Sequence, residues 1–225
     1  MEGRLSRLVE PDLSSTDFPM RLLPVAGALA LATALLAPLA PSTDAAAPLA
    51  PEAVPAAPLE LTVDGGHSSV VFRIQHMGAA WFYGRFNEVS GEIVYDEATP
   101  AKSSVSITIP AMSVDTNSEK RDQHVTSPDF LDAKQFPELS FESKTVEKAG
   151  DLMKVTGELS MRGVKQDVSF DIEKTGEGKA RGGAKVVGFH TTFTVDRTDF
   201  GMTYGSGGPL GDEVELMISL ECRGR

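Results

Sequence analysis

VVFRIQHMGAAWFYGRFNEVSGEIVY, Val70 to Tyr95, is the stretch whose reading decides the fold. Val70, Phe72 and Ile74 alternate with Val71, Arg73 and Gln75, and from Gly84 onward Phe86, Val89, Ile93 and Tyr95 recur among polar residues. A period of two puts successive side chains on opposite faces of a strand, so the run predicts strands over Val70–Gln75 and Gly84–Tyr95. Between them MGAAWFYG is too short and too glycine-flanked for a long helix, and it reads as a helical turn or apolar loop over 77–83.

The same period recurs down the chain. Ser104 to Ile109, Leu139 to Val146, Met153 to Ser160, Val164 to Lys174, Ala184 to Val195 and Glu213 to Cys222 each alternate, which makes about eight strands in all. Ala149-Gly150-Asp151, Met161-Arg162-Gly163 and Gly176-Glu177-Gly178 are short hairpin signals, and no βαβ spacing appears. Long strands with one apolar face each and few helices imply an all-β antiparallel sheet that closes on itself to remove its edges. A barrel of about eight strands is just wide enough to be filled by side chains or to hold one small ligand. Val70, Phe72, Ile74, Ile93, Ile107, Phe141, Phe170, Phe193, Leu216 and Ile218 face its interior without a charge among them. The pattern leaves open whether they fill the barrel or line a void.

One stretch interrupts the strands. Thr116 to Phe141, TNSEKRDQHVTSPDFLDAKQFPELSF, gathers Arg121, Asp122, His124, Asp129, Phe130 and Phe136. It reads either as a catalytic or ligand-gripping insertion or as a plug over one end of the barrel, with a helical excursion over 117–136. Arg121 and Asp122 are adjacent, so on a helical turn they diverge by roughly 100° and bind different partners. Asp122 is expected to pin the excursion with Arg121 in solvent; the alternative sets Arg121 or His124 at the barrel mouth, meeting a polar head group.

Composition narrows the classes. Three of the 21 Lys and Arg and six of the 32 Asp and Glu precede residue 59, which leaves 18 bases against 26 acids, a net charge of −8, on the remainder. No basic footprint for nucleic acid exists, and charge alone does not draw the chain to anionic lipid. The single cysteine, Cys222, excludes an intramolecular disulfide and a cysteine-based zinc cluster, and its place in the alternation Val214, Leu216, Ile218, Leu220, Cys222 makes it a buried, inert thiol.

The N-terminal part divides into three. Residues 1–19 are patternless and read as an extension upstream of Met20. Met20 and Arg21, the apolar run Leu22 to about Ala40, and the Ala45-x-Ala47 site make residues 20–47 a secretory signal peptide, with an uncleaved membrane anchor as the alternative. Residues 48–59 are an Ala/Pro-rich linker, stiff and extended, and 60–225 form the folded domain.

Enzyme signatures are sparse. His67, His76, His124 and His190 show no H-x-x-x-H spacing, and neither a G-x-S-x-G elbow nor a phosphate loop occurs. Each histidine is expected to hydrogen-bond backbone at a strand end. A hydrolase or metal-dependent enzyme using His124 and Asp122 remains the alternative function.

A resemblance goes further. DGGHSSVVFRIQHMG (Asp64 to Gly78), GRF (Gly84 to Phe86), SVDTNSEKRDQHVTSPDFLDAKQFPELSFES, VTGELSMRGV (Val155 to Val164), DRTDFGM (Asp196 to Met202) and GDEVELMISLE, in that order over Leu61 to Leu220, closely resemble the YceI-like family of bacterial periplasmic proteins. His67, Ser68, Phe72 and His76 fall on the family's first-strand motif, Gly84 and Phe86 on its GxF, and Arg121, Asp122, His124, Asp129, Phe130, Pro137, Phe141 and Ser143 on its RDxH and following pattern. Arg197, Asp199, Phe200 and Gly201 match its late element, and the glycine-rich Gly201–Gly211 departs from it. The resemblance implies a lipocalin-like barrel whose tunnel binds a long-chain isoprenoid lipid, such as a polyprenol, a polyprenyl phosphate or an isoprenoid quinone, without catalysis. It implies no cofactor beyond that ligand and no metal, and it implies homodimers, a transient membrane donor and a periplasmic or secreted setting. It adds His76, Phe86, Arg121, His124 and Phe130 to the expected ligand contacts, and Phe130 and Phe136 become apolar plugs over the tunnel.

Overall fold

The computed structural model describes residues 57–225, so the expected extension and leader, and all but the end of the linker, lie outside the described residues. The strands are β1 (Leu59–Val63), β2 (Ser69–His76), β3 (Ala80–Phe86), β4 (Ser90–Tyr95), β5 (Ser104–Pro110) and β6 (Val114–Asp115). Helix α1 (Glu119–Val125) intervenes before β7 (Glu138–Ala149), β8 (Leu152–Met161), β9 (Val164–Lys179), β10 (Lys185–Asp196) and β11 (Leu210–Gly224).

Every pairing is antiparallel, and the order β1-β4-β5-β7-β8-β9-β10-β11 returns from β11 to β1. The expected all-β barrel of eight strands is therefore closed. The additional strands arise because three wall positions are broken partway along. Val63 pairs with Cys222 of β11 and Val70 with Ile218 of the same strand, so β2 carries on where β1 stops. Ser68 spans that break: its hydroxyl donates to the Asp64 carbonyl at 2.8 Å and accepts from the Glu221 amide at 3.1 Å. β3 extends the position of β4, and β6 that of β5, beyond similar breaks.

Several expectations are corrected at this level. Residues 77–83 form neither a helical turn nor a loop beyond Ala79; β3 starts at Ala80, with Phe82 inward and Trp81 and Tyr83 exposed. Apolar residues on both faces hide the alternation there. Gly84–Tyr95 is two strands parted at 87–89, where the Asn87 amide turns to the Ser113 carbonyl. Gly176-Glu177-Gly178 lies within β9, and the hairpin closes later, where the Ala180 amide meets the Ala184 carbonyl and Gly182 and Gly183 supply positive φ. β1 escapes the periodicity because it contributes only Leu61 and Val63 to the core.

The two ends of the barrel differ. At the β1 and β4 end, Leu61, Ile93, Tyr95, Val155, Val187, Phe189 and Cys222 fill the lumen, with Tyr95 edge-on to Phe189 at 5.4 Å. At the other end the β9–β10 ladder stops at Glu173 and His190. Beyond it, side chains bridge the wall: the Thr191 hydroxyl donates to the Asp171 carbonyl at 2.7 Å, and Phe170 stacks on Phe193 at 4.3 Å. A wall held apart by side chains encloses more space than one closed by backbone hydrogen bonds.

Candidate functional site

The wider half encloses a cavity of about 300 Å³. Of the 33 residues around it, seven carry polar side chains and none carries a carboxylate. Inward strand positions supply most of the wall, β11 more of them than any other strand, as the period of two requires. Gly84 shapes one side by close approach: a Cβ there lies 2.3 Å from Cζ of Phe72, so only glycine leaves that ring its place against Phe86, 5.8 Å away.

Thirteen of the fifteen expected contacts come together on this cavity: Val70, Phe72, Ile74, Phe86, Ile107, Arg121, His124, Phe130, Phe141, Phe170, Phe193, Leu216 and Ile218. Two do not. Ile93 faces inward but belongs to the filled end, where its neighbours leave no space. His76 is the last residue of β2, exposed beside the turn to β3, where the alternation has run past the rim. Phe136 is not among the lining residues either; its ring packs over Gly163 at the β8–β9 turn, so only Phe130 seats over the cavity.

The excursion is pinned from within. Asp122 accepts from both the amide and the hydroxyl of Thr116, at 2.8 and 2.5 Å. Arg121 is not simply solvated: Nε and Nη2 donate to the Thr116 hydroxyl and carbonyl at 2.8 and 2.5 Å, and the guanidinium lies 4.3 Å from the Phe82 ring centroid. Stacking of this kind orients a planar cation without neutralising it, and the remaining N–H groups of Arg121 stay available at the cavity mouth. His124 sits beside it, its Nε2 2.9 Å from Asp129 Oδ2 and its ring edge-on to Phe130 and Tyr204 at 5.1 and 4.8 Å.

The histidines do not bond backbone as expected. His67 and His124 engage carboxylates, and His190 lies 3.4 Å from the Thr192 hydroxyl. Among the described residues one group of potential metal ligands occurs, Asp64, His67 and Glu221, far from the His124 region at the filled end. Its atoms are already engaged: Asp64 Oδ2 holds His67 Nδ1 at 2.9 Å and the Arg223 guanidinium at 2.5 Å, and these contacts hold the Asp64 carboxyl below its usual range.

Arg197 is the most deeply buried charged side chain among the described residues, 2% exposed, at the cavity wall. Its guanidinium donates to the carbonyls of Gly211, Leu210 and Met202 and pairs with Asp212 at 3.0 Å. Desolvation lowers its pKa from the usual value, with Asp212 and Asp196 opposing. It fastens the Gly201–Gly211 loop to the barrel. Phe82 and Tyr204 are lining residues that the sequence did not single out. Phe82 stands between the apolar Trp81 and Tyr83, so no alternation marks it, and Tyr204 stands in a glycine-rich loop with no period to read.

A family model described as the YceI-like domain matches residues 61–222. Protein YceI of Salmonella arizonae is 40% identical over 158 residues, covering 70% of this chain and 82% of that protein. Among solved structures, the YceI protein of Campylobacter jejuni is similar at a TM-score of 0.60 with 32% identity, over 67% of this chain and 90% of that one. A polyisoprenoid binding domain from Saccharophagus degradans, implicated in plant cell wall breakdown, shares the fold at a TM-score of 0.56 with 14% identity, over 74% of this chain and 99% of that one.

Proposed function

Because the chain belongs to the YceI-like domain family, we propose that it is an exported, non-catalytic carrier that holds an isoprenoid lipid in the wide half of its barrel. The observation that carries this reading is the cavity lining: predominantly apolar residues, no carboxylate, and Arg121, His124 and Tyr204 gathered at one end. Burying one CH₂ is worth about 0.8 kcal/mol against water, so an isoprenoid chain is held strongly against solution. A bilayer is equally apolar, and exchange between the two is nearly balanced. That balance suits passive carriage or sequestration across an aqueous gap. The polyisoprenoid binding named for the Saccharophagus degradans domain agrees with this chemistry, and the leader-like run at 20–47 agrees with export to the periplasm.

Arg121, with donors to spare on an oriented guanidinium, is the group that meets a polar head, whether a polyprenyl phosphate, a polyprenol or an isoprenoid quinone. Against the enzyme alternative, Asp122 spends its carboxylate on Thr116 and is not available to act as an acid or base beside His124.

Native mass spectrometry of protein purified without detergent tests the reading. A co-purifying lipid mass, or uptake of added polyprenol or quinone, is expected. Absence of both sinks it. Stoichiometric zinc in a metal analysis revives the enzyme alternative, and sedimentation measures whether the chain pairs with a second copy.

A further inference from the structure

Exposed apolar side chains are unevenly placed on the barrel. Among the described residues six large hydrophobic side chains are exposed; Met77, Trp81 and Tyr83 belong to the β2–β3 hairpin, and Tyr204 to the loop beside it. The Met77 amide donates to the Pro209 carbonyl at 2.6 Å, which ties that hairpin turn to the Gly201–Gly211 loop at the open end.

The turn is unfavourable in two respects. Met77 has φ 57°, in the left-handed region where glycine and asparagine are at ease, and its side chain is 66% exposed. Asparagine would cost less on both counts, so an apolar group at the tip has a use outside the fold. Trp81 is presented rather than folded away: Arg73, itself paired with Glu215, lies 4.5 Å from its ring centroid. Tyr204 is half exposed and half a cavity residue, in contact with His124 and Phe130. The rim is therefore continuous with the cavity lining. Neither segment carries a charge of its own: no Lys, Arg, Asp or Glu occurs in 76–82 or in 201–211, on a domain with 18 bases and 26 acids, and the charges that flank them, Arg73 and Asp212, are paired with Glu215 and Arg197.

We propose that this rim, Met77 and Trp81 with Tyr204, docks the open end of the barrel on a neutral bilayer surface, so that a lipid passes between membrane and cavity without crossing bulk water. Amphipathic aromatics and an unbranched thioether on an uncharged loop pair suit the membrane interface, whereas the acidic body is repelled by anionic lipid. The lipid's path rests on the carrier reading; the docking does not.

Trp81 is the only tryptophan, so its fluorescence in the full chain reports on the rim alone. With phosphatidylcholine vesicles its emission is expected to shift to shorter wavelength and to be quenched by brominated acyl chains, with little change up to about 0.5 M NaCl because charge is not the driving force. Met77→Asn, outside the cavity and suited to the left-handed turn, is expected to weaken the vesicle response about tenfold while thermal stability holds or rises. Three results overturn the proposal: no vesicle response in protein that takes up polyprenol from detergent micelles, a response abolished by salt, or a concentration-dependent shift without vesicles that marks a second copy covering Trp81. Vesicle docking without uptake of any isoprenoid leaves the docking intact and overturns the carrier reading instead.

Discussion

Leu216 and Cys222 stand six residues apart on β11 and face the same interior, yet one borders the cavity and the other is fully enclosed. Cys222 is paired with Val63 on one side and Val187 on the other, where the wall is hydrogen-bonded and the lumen holds Leu61, Tyr95 and Phe189. Leu216 is paired with Phe72 and Phe193, beside the part of the wall where β9 and β10 have separated. Identical strand chemistry thus yields a packed anchor or a container according to how far the backbone ladder continues. The filled half supplies the stability on which the hollow half depends, since a cavity contributes little packing of its own.

The largest expected effect sets a polar anchor against a packed one. Arg197→Ala leaves three carbonyls without their side-chain donor at the edge of the hollow half and leaves Asp212 with only the Ser206 hydroxyl. Breaking such an interaction is expected to cost about 3 kcal/mol or more and to loosen the Gly201–Gly211 loop. Urea unfolding gives the first quantity and limited proteolysis at the loop the second. A cost below about 1 kcal/mol means that the loop holds its place by other contacts.

The direct comparison comes next. Leu61→Ala, at a site 1% exposed in the filled half, is expected to cost about 3 kcal/mol, transfer and cavity together. Leu216→Ala enlarges a space that already exists, so about 1 kcal/mol is expected, with a change in lipid affinity instead. Equal costs would show that the wide half is as tightly packed as the other. Between these two comes Gly84→Ala, whose added methyl forces Phe72 towards the cavity; about 1–2 kcal/mol is expected, with weaker lipid retention by mass spectrometry.

Period two was enough to read the wall, and for that reason most inward residues of β2, β5, β7 and β11 were legible from sequence. Parity says which face a side chain takes but not how far along the axis it lies. Ile93 and Ile107 have the same chemistry and the same alternation, and only the ladder of β1 with β4 puts the first in the filled end. Phe82 was concealed because its neighbours Trp81 and Tyr83 are also apolar. Arg121 and His124, which their chemistry set at a mouth, line the cavity, whereas His76, carried by the motif, lies past the rim. Arg197 stood in a recognisable element; its burial follows from contacts to an aperiodic loop that no local pattern announces.

The last effect concerns Cys222, is absent near neutrality and is confined to alkaline solution. Desolvation pushes its thiol up from the ordinary 9.0 to about 12. Between those values the unfolded chain has given up the proton and the folded chain keeps it, so the unfolded state binds fewer protons and stability falls as pH rises. The thiol's contribution is intact below pH 9 and is lost progressively towards about 12. Near neutrality Cys222→Ala should therefore show only the loss of packing, with an alkaline slope shallower than that of the unaltered protein. Alkylation provides the structural counterpart: iodoacetamide is expected to leave the native thiol untouched and to label it only when urea opens the filled half. Labelling at the rate of an exposed thiol in native buffer would mean that this half breathes as freely as the hollow one, and the division of the barrel into anchor and container would fail.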